Sequence, residues 1–212
     1  ERHDLAHPRM LSDLARRLVD NVGSMYSQNS LTGYLKSLGH KAYKSIVADY
    51  LAWLEDTYFT YSVAIHDASL SRVNANPRKL YAVDHALVRS VGSGLLVNKG
   101  HLLENMVFIS LRRLWPQISY YRSRTGRETD FLVTRHGQSP LLVQVCETMA
   151  DPATRHREMS ALADAMAETG IREATVVTAG EDNEFRLAEG VVHIVPAWRW
   201  LLDLPDYPVT PG

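Results

Sequence analysis

The chain has 212 residues, 45% of them hydrophobic and 22% charged, with 23 Lys or Arg against 24 Asp or Glu and a formal net charge of −1. This length supplies one large domain or two small ones, each with a real core, and the composition excludes global disorder and low complexity. Near-neutrality excludes a chain that is basic all over and leaves room for a local basic patch.

The apolar runs are only a few residues long, as in Leu141 to Val143. A membrane helix needs ~20 apolar residues, so no membrane partner is expected. The first residues, ERHDLAHPRM, contain no apolar signal-peptide core. The single Cys146 has no partner for an internal disulfide. A reducing, cytoplasmic setting is the expectation.

A first helix is expected over residues 9–22, opened by Pro8, with Leu11, Leu14, Ala15, Leu18, Val19 and Val22 on one face and Gly23 as its stop. Ser30 reads as the N-cap of a short helix, Leu31 to Leu38, closed by Gly39. Lys41 to Tyr58 reads as a longer helix, with Tyr43, Val47, Tyr50, Leu51, Leu54 and Tyr58 on one stripe. Two helices across a tight Gly-containing turn form a helix-turn-helix pattern. Phe59 to Ile65 reads as a strand, His66 to Arg78 as a polar connection, and Lys79 to Val83 as a returning strand. This is the element order of a winged helix, so residues 1–90 are expected to form an all-α winged helix-turn-helix domain.

The charge pattern bears on what that domain binds. Ser30 to Ala48 contains Lys36, Lys41 and Lys44 and no acid. Residues 1–90 hold 11 Lys or Arg against 9 Asp or Glu, and residues 91–212 hold 12 against 15. One reading places the start of the third helix in a DNA groove, with phosphate contacts from Lys36, Lys41, Lys44 and Arg72 or Arg78. The other uses the same fold for protein packing, with solvated lysines and Tyr43 in the core.

A second domain is expected over 91–212, after a hinge at Gly92-Ser93-Gly94. Lys99 to Leu114 reads as a helix. Three strands follow, Ile118 to Arg122, Glu128 to Thr134 and Leu141 to Glu147, with a hairpin turn at Thr125-Gly126. The third strand is apolar on both faces and therefore central. Asp151 caps a helix over Pro152 to Glu168. Ala174 to Thr178 and Val191 to Val195 read as two more strands. A short helix, Ala197 to Leu202, packs Trp198 and Trp200 on the sheet ahead of a Pro-rich tail. An α-β-β-β-α-β order is the core of the PD-(D/E)XK restriction-endonuclease-like fold, and the chain as a whole is α/β, or α+β overall. In such a fold an acid on the first helix meets acids on the second and third strands. Glu104 and Asp130 take the first two places, Glu128 shares the face of Asp130, and Gln144 and Cys146 share a face on the third strand.

The segments NKGHLLENMVFISLRRL, YYRSRTGRETDFLV and LLVQVCETMADPATRHREMSAL, with KLYAVDHAL before them, resemble the C-terminal region of a family of bacterial and archaeal AAA-type ATPases. In that family an ATPase module precedes a winged helix and a nuclease-like domain of unknown function. The resemblance covers about residues 10–203, and TGRETDF followed by QVC is its most specific part. It implies an ATPase module upstream, because no G-x-x-x-x-G-K-[ST] occurs here to hold ATP. On that resemblance the chain is the C-terminal part of a longer protein.

The same resemblance places the motif's Glu and Lys at Gln144 and Cys146. A neutral amide and a thiol replace a metal ligand and a cation, so nuclease activity is expected to be lost. The alternative is a rearranged acidic site of Glu104, Glu128 and Asp130 holding Mg²⁺. Against it stands a structural use of those acids, satisfied by hydrogen bonds or by Arg124 and Arg127. Glu147 points to the opposite sheet face and cannot stand in for Gln144. The functional expectation is a DNA- or protein-recognition module without its own cofactor.

Overall fold

The computed structural model describes residues 7–92 and 98–205. Most of the expected hinge at Gly92-Ser93-Gly94 and most of the Pro-rich tail lie outside the described residues.

The first half begins with α1 (Pro8–Val19), which buries Met10, Leu14, Leu18 and Val19. β1 (Met25–Tyr26) follows, then α2 (Gln28–Ser37) and α3 (Lys44–Asp56). Ser27 caps α2 and Ser30 answers it from the first turn as the other half of a capping box, so the start lies three residues earlier than the sequence signal suggested. α3 starts at Lys44, which leaves Lys41 and Tyr43 outside it. Tyr43 and Tyr58 are both exposed rather than part of the buried stripe, which is Val47, Tyr50 and Leu51. β2 (Thr60–Val63), α4 (Leu70–Ala75), β3 (Arg78–Ala82) and α5 (His85–Val91) complete this half. Neither α4, inside the polar connection, nor α5 was expected.

These strands form one antiparallel sheet in the order β1-β3-β2. The first half is therefore not all-α. β1 was missed because two residues carry no periodicity.

The second half starts with α6 (Lys99–Leu114) and a meander of β4 (Ile118–Arg122), β5 (Glu128–Val133) and β6 (Leu141–Val145). α7 (Pro152–Thr169) crosses to β7 (Glu173–Thr178), followed by β8 (Asn183–Arg186), β9 (Val191–Pro196) and α8 (Ala197–Asp203). The six-stranded sheet runs β4-β5-β6-β7-β9-β8. β6, β7 and β9 are mutually parallel, and the others pair antiparallel. The fold is thus mixed α/β with eight helices and two sheets among the described residues.

Strand alternation divides the core into two layers. Phe131, Val133, Val143 and Val177 pack with Val107, Phe108 and Leu111 of α6 and Trp200 of α8. Leu132, Leu142, Val176 and Ile194 pack with Leu162, Ala165 and Met166 of α7 on the other face. Trp198, expected on the sheet, is exposed.

The halves divided near residue 91 share an apolar cluster. Val63, Ile65 and Tyr81 from the first half pack with Phe108, Tyr120 and Phe131 from the second. The Tyr81 ring stacks on Phe108 at 4.2 Å. The backbone also joins them: the Tyr120 N–H donates to the Ala64 carbonyl at 3.0 Å, and the His66 N–H donates to the Tyr120 carbonyl at 2.7 Å. No helix among the described residues is long and apolar enough to cross a membrane.

Candidate functional site

The site is assembled by β3, α6, β5 and β6. Alternation along β3 sends Leu80 into the core between α1, α2 and α3, while Tyr81 joins the shared cluster. Lys79 and Tyr81 then face α6 and β5. Helix α6 is pinned against β3 by Asn105, whose side-chain oxygen accepts from the Ala82 N–H at 2.8 Å and whose amide donates to the Ala82 carbonyl at 3.1 Å. Glu104 precedes Asn105 and turns toward β3.

Three expected acids meet on one atom. The Lys79 ammonium lies 2.6 Å from Asp130 Oδ1, 3.0 Å from Glu104 Oε1 and 3.0 Å from Glu128 Oε1. An ammonium has three donors, and three carboxylates surround this one. Lys79 is 3% exposed, and Glu104 and Asp130 are buried beside it. Each carboxylate also accepts from a further donor. Tyr81 donates to Glu104 at 2.6 Å, the Val145 N–H donates to Asp130 Oδ2 at 2.9 Å, and Arg122 donates to Glu128 at 3.2 Å.

The electrostatics follow from that crowding. Burial opposes charge on Lys79, but Asp130, Glu104 and Glu128 outweigh it and raise its pKa above the ordinary lysine value. Burial and the adjacent Asp130 push Glu104 up to about 7, against the opposing pull of Lys79 and Tyr81. Burial, Glu104 and Asp130 also raise Tyr81. His101, half-buried one turn before Glu104, is lowered by desolvation and by Lys79.

Gln144 and Cys146 have separate fates. The Gln144 carbonyl accepts from the Asp130 N–H at 3.0 Å, and its amide donates to Glu158 Oε2 at 2.7 Å. Arg157 donates to the other oxygen of Glu158, from its Nε at 2.9 Å. Gln144 thus links the β5 backbone to α7 and is consumed in doing so. Cys146 is half-buried, donates to the Thr148 carbonyl at 3.0 Å, and has its thiol pKa raised by burial. A raised thiol pKa disfavours the thiolate that nucleophilic chemistry requires.

Arg124 and Arg127, expected to satisfy the acids, do not reach them. Arg127 pairs with Asp164 at 2.7 Å, and the Arg124 N–H donates to Glu168 at 3.0 Å. Lys79, Tyr81, Asn105 and Glu158 were missing from the sequence-based site. Among the described residues no group of three or more His, Cys, Asp or Glu is arranged to hold a metal ion. Donor distances of 2.6 to 3.0 Å around Lys79 are those of charge-assisted hydrogen bonds.

The expected nucleic-acid residues lie elsewhere. Lys36, Lys41 and Lys44 are all exposed, at the end of α2, in the following turn and at the start of α3. Tyr43 is 62% exposed among them. Arg72 pairs with Asp67 at 3.4 Å.

Residues 99–200 match a family described as a domain of unknown function, DUF4143. An uncharacterized protein of Methanocaldococcus jannaschii is 25% identical over 211 residues, which cover 95% of this chain and 46% of that protein. The chain therefore spans about half the length of that relative. No solved structure matches it.

Proposed function

We propose that this chain is a recognition region of an AAA-type ATPase, a winged helix joined to a nuclease-like domain whose catalytic centre is closed by the chain's own lysine. The observation that carries this reading is the Lys79 ammonium held by Glu104, Glu128 and Asp130. A cation already occupies the place where those acids would gather a metal, and phosphodiester hydrolysis of this kind needs the metal to lower the pKa of water.

Several features support the parts of the reading. The order α1-β1-α2-α3-β2-α4-β3, with β1 on the edge of β3 opposite β2 and α4 inside the β2–β3 connection, suits a winged helix. The run α6-β4-β5-β6-α7-β7, with Glu104, Asp130 and Gln144 drawn to one place, suits a nuclease-like ancestor. The DUF4143 match is consistent with a region that follows an ATPase module, and the longer relative has room for one. ATP then binds in that module rather than in these residues.

The competing reading is a metal-dependent nuclease built on Glu104, Glu128 and Asp130. Incubation of the chain with labelled single- and double-stranded DNA in Mg²⁺ or Mn²⁺ separates the two. The expected result is intact DNA. Cleavage that Asp130→Asn abolishes would replace this reading with the nuclease.

A further inference from the structure

Arg9, Arg16, Lys36 and Lys41 are exposed cations on α1, α2 and the turn that follows α2. Asp13 of α1 is 2.7 Å from His40, in the turn between α2 and α3. One helical turn on, the Arg17 guanidinium lies 4.9 Å from the Tyr34 ring centroid of α2. These contacts bring one face of α1 beside that turn. Arg9 and Arg16 flank Asp13 at helical spacing and are exposed. A groove of about 660 Å³ runs between the start of α1 and the turn, with Arg9, His40 and Lys41 in its walls. Lys36 and Lys44 are exposed at the ends of α2 and α3 that flank the turn, and Lys44 also lines a second groove with Tyr26, Glu55 and Arg78. Asp13, a carboxylate on this face of α1, is paired with His40.

The rest of α3 has the opposite character. Asp49 and Asp56 are exposed, and Glu55 accepts from Ser62 beside them. A helix lying in a major groove runs between two phosphate ribbons, so this acidic stretch opposes insertion along its length. The cationic corner instead carries two exposed apolar side chains, Tyr43 and Leu38, between its lysines. Cations that track a backbone, interleaved with an exposed aromatic on which a base stacks, are the chemistry of single-strand binding.

We infer that the corner formed by α1 and the α2–α3 turn binds single-stranded nucleic acid without sequence preference. Arg9, Arg16, Lys36, Lys41 and Lys44 neutralise phosphates, and Tyr43 provides the stacking platform. This inference rests on the recognition reading above and names its ligand.

Fluorescence anisotropy of the whole chain with a labelled oligothymidylate and with a duplex of equal length, at ~50 and ~200 mM salt, tests it. The expected result is saturable binding that favours the single strand and weakens with salt by about 0.7 log units per log unit of salt for each phosphate neutralised. Lys41→Glu and Lys44→Glu each lower that slope. Tyr43→Ala weakens binding roughly 5- to 100-fold and leaves the slope unchanged. Arg186→Glu, on the distant β8, changes nothing. Three results would overturn the inference: no salt-sensitive binding at ~100 µM protein, equal affinity for duplex with Tyr43→Ala silent, or equal loss with Arg186→Glu. Degradation of the oligonucleotide in Mg²⁺ would instead overturn the non-catalytic reading beneath it. All these side chains are exposed, so unchanged thermal melts verify that each variant is folded.

Discussion

Lys79 and Asp130 stand fifty-one residues apart in sequence and 2.6 Å apart in space, one on the sheet of the first half and the other on the sheet of the second. A buried ion pair of this kind is not in itself a source of stability, because both charges lose their hydration. It makes removal of either partner costly, because the survivor stays buried and uncompensated. The pair therefore ties the two halves in one arrangement.

Lys79→Ala is expected to destabilise the chain by about 3–5 kcal/mol, since it leaves Glu104, Glu128 and Asp130 facing one another without their cation. Lys79→Met combined with Asp130→Asn should recover much of that loss. Urea unfolding of the single and double variants measures both. A second effect is expected in the single variant alone: Mn²⁺ or Ca²⁺ should raise its melting temperature and leave that of the parent chain unchanged.

The Glu104 carboxyl has a folded pKa of about 7 against an ordinary value of 4.5. The folded chain thus holds a proton that the unfolded chain releases in this interval. The stability linked to that proton is fully present below 4.5 and is lost as pH rises through about 7. Glu104→Gln removes this slope. Stability against pH, measured by urea unfolding, should fall more steeply for the parent than for the variant across that range. Parallel profiles would mean that Glu104 is ionised throughout.

Asn105→Ala leaves the buried N–H and carbonyl of Ala82 both without partners, and each such group costs about 1–3 kcal/mol. The expected loss is about 3 kcal/mol. Because Asn105 and Lys79 bind neighbouring residues of β3, Asn105→Ala and Lys79→Ala should combine non-additively in a double-mutant cycle.

Gln144→Glu places a carboxylate at this position, where it would face Glu158 in place of an amide that donates to it at 2.7 Å. A loss of about 1–3 kcal/mol at neutral pH, partly recovered in acid, is expected. On the proposed reading this variant does not cleave DNA in Mg²⁺, because Lys79 still occupies the acids.

Much of the second half was legible from sequence. Lys99–Leu114 and Ile118–Arg122 match their expected bounds, because an amphipathic period and turn chemistry mark both. That Glu104 would lie near Asp130 followed from the expected nuclease-like element order, and strand alternation added Glu128 on the face of Asp130. Their partner was not legible. Lys79 is the second residue of the returning strand β3, near a strand end where a lysine ordinarily lies in solvent, and its contacts span 25 and 51 residues. No local pattern reports such a contact. Arg124 and Arg127 were nearer in sequence and were the natural guess, but the β4–β5 turn lies against α7, where Asp164 pairs with the Arg127 guanidinium and Glu168 accepts from the Arg124 backbone N–H. β8 escaped because its four residues are Asn183, Glu184, Phe185 and Arg186, a polar run that pairs only with β9.

The backbone bridge between Ala64, His66 and Tyr120 also decides how the larger sheet ends. A strand at the margin of a sheet offers unpaired N–H and carbonyl groups to any passing chain. At β4 the first half supplies partners for those groups at Tyr120. At the opposite margin β8 is four residues long and carries Glu184 and Arg186. One margin is paired by the first half at Tyr120 and the other is short and charged, so among the described residues neither margin is a long, free apolar strand on which copies of the chain could stack.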